Sequence, residues 1–226
     1  MDWIEFALAM TAFALSHRIP AVPGLRSGLV RRIGLRGYVA LFSALSVGLL
    51  VWLIVAAGRA PFVPLWDQVP WHRWAVNIAM PVAIVLAVLG TGAPNPFAFE
   101  GRSAGFDPDR PGIAGLTRQP LLWALALWSG AHLLANGDLA HVLLFGPFLL
   151  MALLGMPLVE RRRRTAMAGG WDRLAAHTGL VPFAALATGR WRPGGRPPVA
   201  RLVLAAAVWA AVWHLHGAVI GVSALP

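Results

Sequence analysis

Histidine is the residue type in this chain best placed to do metal or proton chemistry. Among 226 residues there are seven His, no Cys and no Lys. The few acidic side chains lie outside the long apolar runs, except Asp2 and Glu5 at the start of the first. His17, His132, His141, His214 and His216 fall within those runs or at their ends; His72 and His177 lie outside and read as structural. A neutral imidazole loses less on burial than a carboxylate or guanidinium, and it ligates haem iron well. An ionisable residue inside a membrane span is costly and marks a functional candidate. The lack of Cys excludes disulfides, Fe–S clusters, thiolate-ligated haem and covalent c-type attachment, so a haem here would be b-type and held by His. The lack of Lys excludes a Schiff base. No phosphate-binding glycine motif, H-E-x-x-H, G-x-S-x-G or intraspan carboxylate pair occurs, which argues against hydrolytic catalysis.

The elements that must position these histidines are membrane helices. Apolar residues make up 58% of the chain and charged ones only 12%, too few for the charged shell of a soluble domain. A bilayer core about 30 Å thick needs roughly 20 apolar residues in a helix. The pattern predicts an all-α polytopic bundle of about six spans in one domain over 1–226. The spans fall at about 1–17, 38–57, 74–92, 120–135, 139–159 and 202–222. The net charge of +10 comes from 19 basic residues, all Arg. If alternate loops share a side, 17 of the 19 Arg fall on one face and two, Arg59 and Arg73, on the other. The positive-inside rule then puts both termini, the 58–73 loop and the 136–138 turn outside the cytoplasm. The arginines thus serve topology and lipid contact, and nucleic acid is not an expected partner. Leu25, Leu29 and Ile33, with Arg26, Arg31, Arg32 and Arg36 around them, predict a short basic helix on the inner headgroups. The 93–119 stretch reads as an irregular loop, 171–178 as an interfacial helix, and 180–188 as too short to span.

Depth counting at 1.5 Å per residue puts His132 about 18–20 Å, and His216 about 20 Å, from the inner ends of their spans. His141, three residues past the Asn136-Gly137-Asp138 turn, also lies toward the outside, and so does His214. His17 falls near the inner surface. Helical spacing sets His132 with Leu125, Trp128 and Ser129, His214 with Ala207, Ala211 and Ala218, and His216 with Trp209 and Trp213. Aromatic and small neighbours suit a flat macrocycle and suit plain helix packing equally. Asp138 reads as the N-cap of the fifth span, with a hydrogen bond to a nearby His as the alternative. Asn77, Pro81 and Pro147 read as kink or packing residues.

Several stretches carry a resemblance. Ala14-Leu15-Ser16-His17 with Pro20-Ala21-Val22-Pro23-Gly24-Leu25-Arg26 resembles the opening of the NnrU family. So do Gly37-Tyr38-Val39-Ala40-Leu41-Phe42-Ser43 and Arg59-Ala60-Pro61 with Leu65-Trp66-Asp67. The most specific part is Thr117-Arg118-Gln119-Pro120, then Leu127-Trp128, then Ala131-His132-Leu133-Leu134-Ala135-Asn136-Gly137-Asp138-Leu139. The resemblance implies a multi-pass inner-membrane protein linked to nitrite and nitric oxide reduction. It also implies kinship with plant zeta-carotene isomerase, a membrane enzyme with a His-ligated b-type haem. By motif, the His positions implicated there match His17 and His132. Two departures stand out: Gln119 precedes Pro120 where the family usually has His, and His141 stands where small residues are common. Resemblance and depth counting agree on His132 and differ on its partner, His17 by resemblance and His216, His214 or His141 by depth. The expectation is a haem-binding redox or isomerase-like protein, partnered by denitrification enzymes or electron carriers. The alternative is a non-enzymatic membrane accessory or small-molecule transport factor for nitric-oxide-related enzymes.

Overall fold

The computed structural model describes residues 3–99, 101–195 and 198–225. Over these the chain is helical, with isolated bridges Pro64–Asp138 and Asn95–Arg102 as its β pairing. The helices are α1 (Trp3–Ser16), α2 (Pro23–Arg59), α3 (Pro70–Gly90), α4 (Ile113–Leu116), α5 (Pro120–Asn136), α6 (Leu139–Met167), α7 (Trp171–Ala175), α8 (Ala184–Ala187) and α9 (Val199–Ile220). Two compact units form. The first holds Met1–Gln68, Asn136–Leu144 and Leu215–Ala224; the second holds Val69–Ala135 and Phe145–His214.

In the first unit, α1 runs antiparallel to α2. Glu5 Oε1 meets Arg59 Nη1 at 3.5 Å near one end, and the His17 ring meets Phe42 at 5.7 Å toward the other. Gly34, at φ +74° and ψ 165°, interrupts α2. A residue with a Cβ rarely adopts that conformation, so glycine is what lets the basic 23–33 piece turn off the apolar 35–59 piece. The predicted headgroup helix is therefore a separate segment, and Arg26 folds back to within 5.9 Å of the Tyr38 ring centroid. The loop after α2 clasps the turn before α6. Leu65 and Trp66 N–H donate to the Gly137 carbonyl at 2.8 and 3.2 Å, Leu139 N–H to Val63 at 3.0 Å, and Gln68 Nε2 to the Asn136 carbonyl at 2.6 Å.

In the second unit, α3 packs antiparallel to α5 through Ala83, Leu86 and Ala124, with Gly90 close against Pro120. The antiparallel hairpin of α5 and α6 closes on Ala126, Ala152 and Met156; Gly130 faces Leu149 and Gly155 faces Leu122. Small residues at such seams let backbones approach, which is how helices associate in lipid. α9 runs antiparallel to α3. Arg201 Nη1 donates to the Leu89 and Thr91 carbonyls at 3.1 and 3.3 Å, and Trp213 Nε1 to Asn77 Oδ1 at 3.3 Å. Asn77 is thus the packing residue expected of it.

The outer surfaces are apolar. Leu41, Val47, Ile78, Leu150, Leu154 and Val203 are among many large hydrophobics left exposed. In the four helices long and apolar enough to cross a membrane, at most 22% of the apolar window is buried. Apolar area on this scale needs a lipid environment. Those four lie in α2, α3, α6 and α9, fewer than the six spans expected. The shortfall is length: α1 has 14 residues and α5 has 17, about 21 and 25 Å against a core of about 30 Å. Boundaries also moved. α3 starts at Pro70 rather than 74, so His72 lies in its first turn and is buried. α6 does not stop at 159 but carries the Arg161–Arg164 run on to Met167, because nothing after Pro157 breaks it.

Candidate functional site

Three span histidines share one hydrogen-bond pattern. His17 Nδ1 lies 2.8 Å from the Phe13 carbonyl, His132 Nδ1 2.8 Å from Trp128, and His216 Nδ1 2.7 Å from Val222. The first two reach the carbonyl four residues back in the chain. A carbonyl oxygen only accepts, so Nδ1 carries the proton and the neutral ring keeps its lone pair on Nε2. That is the tautomer a metal-binding imidazole needs, with the donated Nδ1–H setting the ring's orientation. His132 has the most developed surroundings. It is half-buried, with Trp128 and Phe145 at 5.8 and 5.2 Å between ring centroids, and Phe148 beyond Trp128 at 5.5 Å. The face predicted for it holds: Trp128 is on it, and Ser129 is buried, its hydroxyl turned to the Leu125 carbonyl at 2.6 Å.

The other candidates have different surroundings. His17 is exposed in the turn just past α1, beside Phe13 and Phe42. His214 is exposed on α9 against Trp213. His216 lies half-buried on the last turns of the same helix. His17, His141 and His216 belong to the first unit, His132 and His214 to the second. Among the described residues, no three His, Cys, Asp or Glu converge as a metal-holding group.

His141 is brought together with the Asn136-Gly137-Asp138 turn. Buried Asp138 caps α6, Oδ1 accepting His141 N–H at 3.2 Å, while Oδ2 accepts from His141 Nδ1 at 2.6 Å. Both roles weighed for Asp138 are filled at once, and the clasping 63–68 loop covers the turn.

The best-built polar cluster went unread as a unit. Arg118, just before α5, donates from Nη2 and Nε to the Glu160 carboxylate at 2.6 and 3.4 Å, and from Nη1 to the Thr178 hydroxyl at 3.0 Å. Its guanidinium lies 5.5 Å from the Trp171 ring centroid and 6.0 Å from Phe97. Asn95 Nδ2 donates to the Arg118 carbonyl at 3.0 Å, and Asn95 Oδ1 accepts from Phe97 and Ala98 N–H. Gln119 Nε2 donates to the Phe97 carbonyl at 2.8 Å, while its buried Oε1 has no hydrogen-bond partner among the described residues. A desolvated charge must be paired and hydrogen-bonded. Here that need ties the 93–119 loop, the end of α6 and the 171–180 segment together. The available signal was Glu160, the one carboxylate directly ending an apolar run, opposite the Thr117-Arg118-Gln119-Pro120 motif. Farther along the same loop, Arg110 donates to Asp107 at 3.0 Å and holds that carboxyl below its ordinary value, helped by the Asp109 N–H.

No curated protein and no solved structure matches the chain. The family model described as NnrU protein matches residues 5–224, nearly its whole length, and spans both the His17 and the Arg118-to-Asp138 stretches. The chain belongs to the NnrU family.

Proposed function

We propose that this membrane protein holds a b-type haem on His132. The observation that carries the reading is the fixed His132 tautomer, Nδ1 donating at 2.8 Å to Trp128, within a wall of Trp128 and Phe145 rings. The donor chemistry fits the group: an oriented neutral imidazole for iron and flat aromatic faces for a macrocycle. The candidates for a second ligand are those read from the sequence: His17 by the family resemblance, and His216, His214 or His141 by depth. A bound haem would supply one-electron chemistry at its iron. The chain's own residues orient the ligating nitrogen: the Trp128 carbonyl holds Nδ1–H, and the Trp128 and Phe145 rings flank the imidazole. By the family resemblance, the setting we infer is the bacterial inner membrane beside nitrite and nitric oxide reduction, with redox or isomerase-like turnover.

Six crossings with periplasmic termini remain our topology. Loops expected to share a face are hydrogen-bonded to each other: 63–68 with 136–138, and the 93–119 loop with the end of α6 and 171–180. Were α5 not to cross, Arg118 and Glu160 would lie on opposite sides of the bilayer, against their 2.6 Å contact.

The test is a visible spectrum of the purified protein, oxidised and reduced, after expression with haem supply. The expected result is a Soret band that His132→Ala abolishes while membrane insertion stays normal. Of the second-ligand candidates, one alanine variant should shift the spectrum from six- to five-coordinate iron. A protein without a Soret band overturns the haem reading and leaves the accessory role; a band that His132→Ala leaves unchanged overturns the placement of the haem on His132.

A further inference from the structure

The four arginines that end the apolar part of α6 do not share one task. Arg163 turns inward, Nε and Nη2 donating to the Ala98 and Phe99 carbonyls at 3.1 and 2.8 Å. Arg164 faces Asp172 at 3.9 Å. Arg161 and Arg162 are exposed and have no carboxylate partner among the described residues. With Leu158 and Thr165 they line an open-sided cavity of about 390 Å³. Residues 158, 161, 162 and 165 follow an i, i+3, i+4, i+7 pattern, so they form one stripe of the helix.

The stripe continues toward the bilayer as apolar surface: Leu158, Leu154 and Met151 are 55%, 60% and 54% exposed. Met151 to Leu158 is seven residues, about 10 Å of helix. One face of α6 therefore presents an apolar track leading to a cavity with two unpaired guanidinium groups at its mouth. Guanidinium recognises phosphate oxygens with a planar fork, and it is less strongly hydrated than an ammonium. Thr165 closes the far end, its hydroxyl turned back to the Arg161 carbonyl at 3.1 Å.

We propose that this stripe is a binding site for one anionic phospholipid, its phosphate between Arg161 and Arg162 and an acyl chain along Leu158, Leu154 and Met151. The site goes beyond the general attraction of a basic face to the membrane, because it selects two of four neighbouring arginines. Apolar track and charged mouth together match a lipid rather than a free anion.

The test titrates the purified full-length chain, in neutral detergent, with phosphatidylglycerol, with phosphatidylcholine of the same acyl chains, and with inorganic phosphate, reading lipid adducts by native mass spectrometry. Phosphatidylglycerol should bind in preference to phosphatidylcholine, and inorganic phosphate at equal concentration should not displace it. The Arg161→Gln/Arg162→Gln pair should weaken binding about 30-fold, and Arg162→Gln alone about 5-fold should the pair fail to accumulate. The Arg164→Gln/Arg173→Gln pair removes equal charge and should change binding little. Equal losses in the two pairs, equal binding of the two lipids, or displacement by inorganic phosphate would each overturn the site.

Discussion

Imidazole Nδ1 donates to a carbonyl at His17, His132 and His216, and to a carboxylate at His141. In each ring the acceptor, not the histidine, chooses the tautomer. Asp138 serves His141 twice, through its backbone N–H and its ring. Replacing Asp138 by Ala removes a helix cap and a charge-assisted bond and should cost about 2–3 kcal/mol. Asp138→Asn keeps an acceptor for the backbone N–H and should recover roughly half of that. Thermal unfolding in detergent measures both, and equal losses for Ala and Asn would show that the cap contributes nothing. Arg118 makes the sharper case, with its side chain 11% exposed and Glu160's 24%. Glu160→Gln leaves a largely buried guanidinium without its countercharge and should cost about 3 kcal/mol. Arg118→Lys keeps the charge but loses the fork and the stacking on Trp171, so it should fail to restore stability; full rescue by Lys would reduce the cluster to simple charge pairing.

Glycines separate two ways in which an element constrains its sequence. Gly90 is helical, and a Cβ there would sit 2.7 Å from Pro120 Cγ, part of a ring that cannot swing aside. Gly90→Ala should therefore push α3 off α5 at about 1–3 kcal/mol, purely through packing. Gly189, at φ +68° with nothing within 4 Å, isolates the conformational cost of about 1–2 kcal/mol. Gly137 combines both, with the same φ and a Cβ position 2.6 Å from the Trp66 carbonyl, so Gly137→Ala should destabilise more than Gly189→Ala. Thermal unfolding should place Gly137→Ala below Gly189→Ala, and Gly137→Ala matching Gly189→Ala would mean that the 63–68 clasp yields without cost. The same logic explains what was legible in advance. The apolar runs located every long helix, and the Asn136-Gly137-Asp138 turn was visible, because hydrophobic length and turn chemistry are local signals. The Gly34 break was visible as an amphipathic segment ahead of a uniformly apolar one. The Arg118 cluster was not, because Asn95, Arg118, Glu160 and Thr178 are brought together only by tertiary contact. The helical run of α6 past residue 159 was hidden too, since an arginine run reads as a loop from charge although Arg is a good helix former.

Across the whole molecule, the number of crossings decides which loops can touch. With α5 crossing, the 93–119 loop and the 160–198 stretch share a face, and 63–68 shares the other with 136–138. With α5 lying in the interface, both pairings would have to reach across the bilayer, against the Arg118–Glu160 and Leu65–Gly137 contacts. α1 is the weaker case, at about 21 Å of helix, and its antiparallel run along α2 is its main tie. The lack of native Cys makes single-cysteine labelling a clean measure. In spheroplasts treated with a membrane-impermeant maleimide, Asp2→Cys, Asp67→Cys and Ser223→Cys should label from outside. Arg110→Cys and Arg192→Cys should label only once the membrane is opened. Arg110→Cys and Arg192→Cys labelling from opposite sides would remove the α5 crossing. Asp2→Cys sharing its side with Arg31→Cys would remove that of α1. The arginine count then becomes a constraint on the outcome. Taking out α5 alone sends the nine arginines between 161 and 201 to the outer side, so the asymmetry of 17 to 2 becomes 8 to 11. Strong charge bias across short loops sets orientation during insertion, and an 8 to 11 split would leave it nearly undirected. In the proposed six-crossing topology, the α5 crossing that preserves the Arg118–Glu160 contact also preserves the charge bias that would orient the protein.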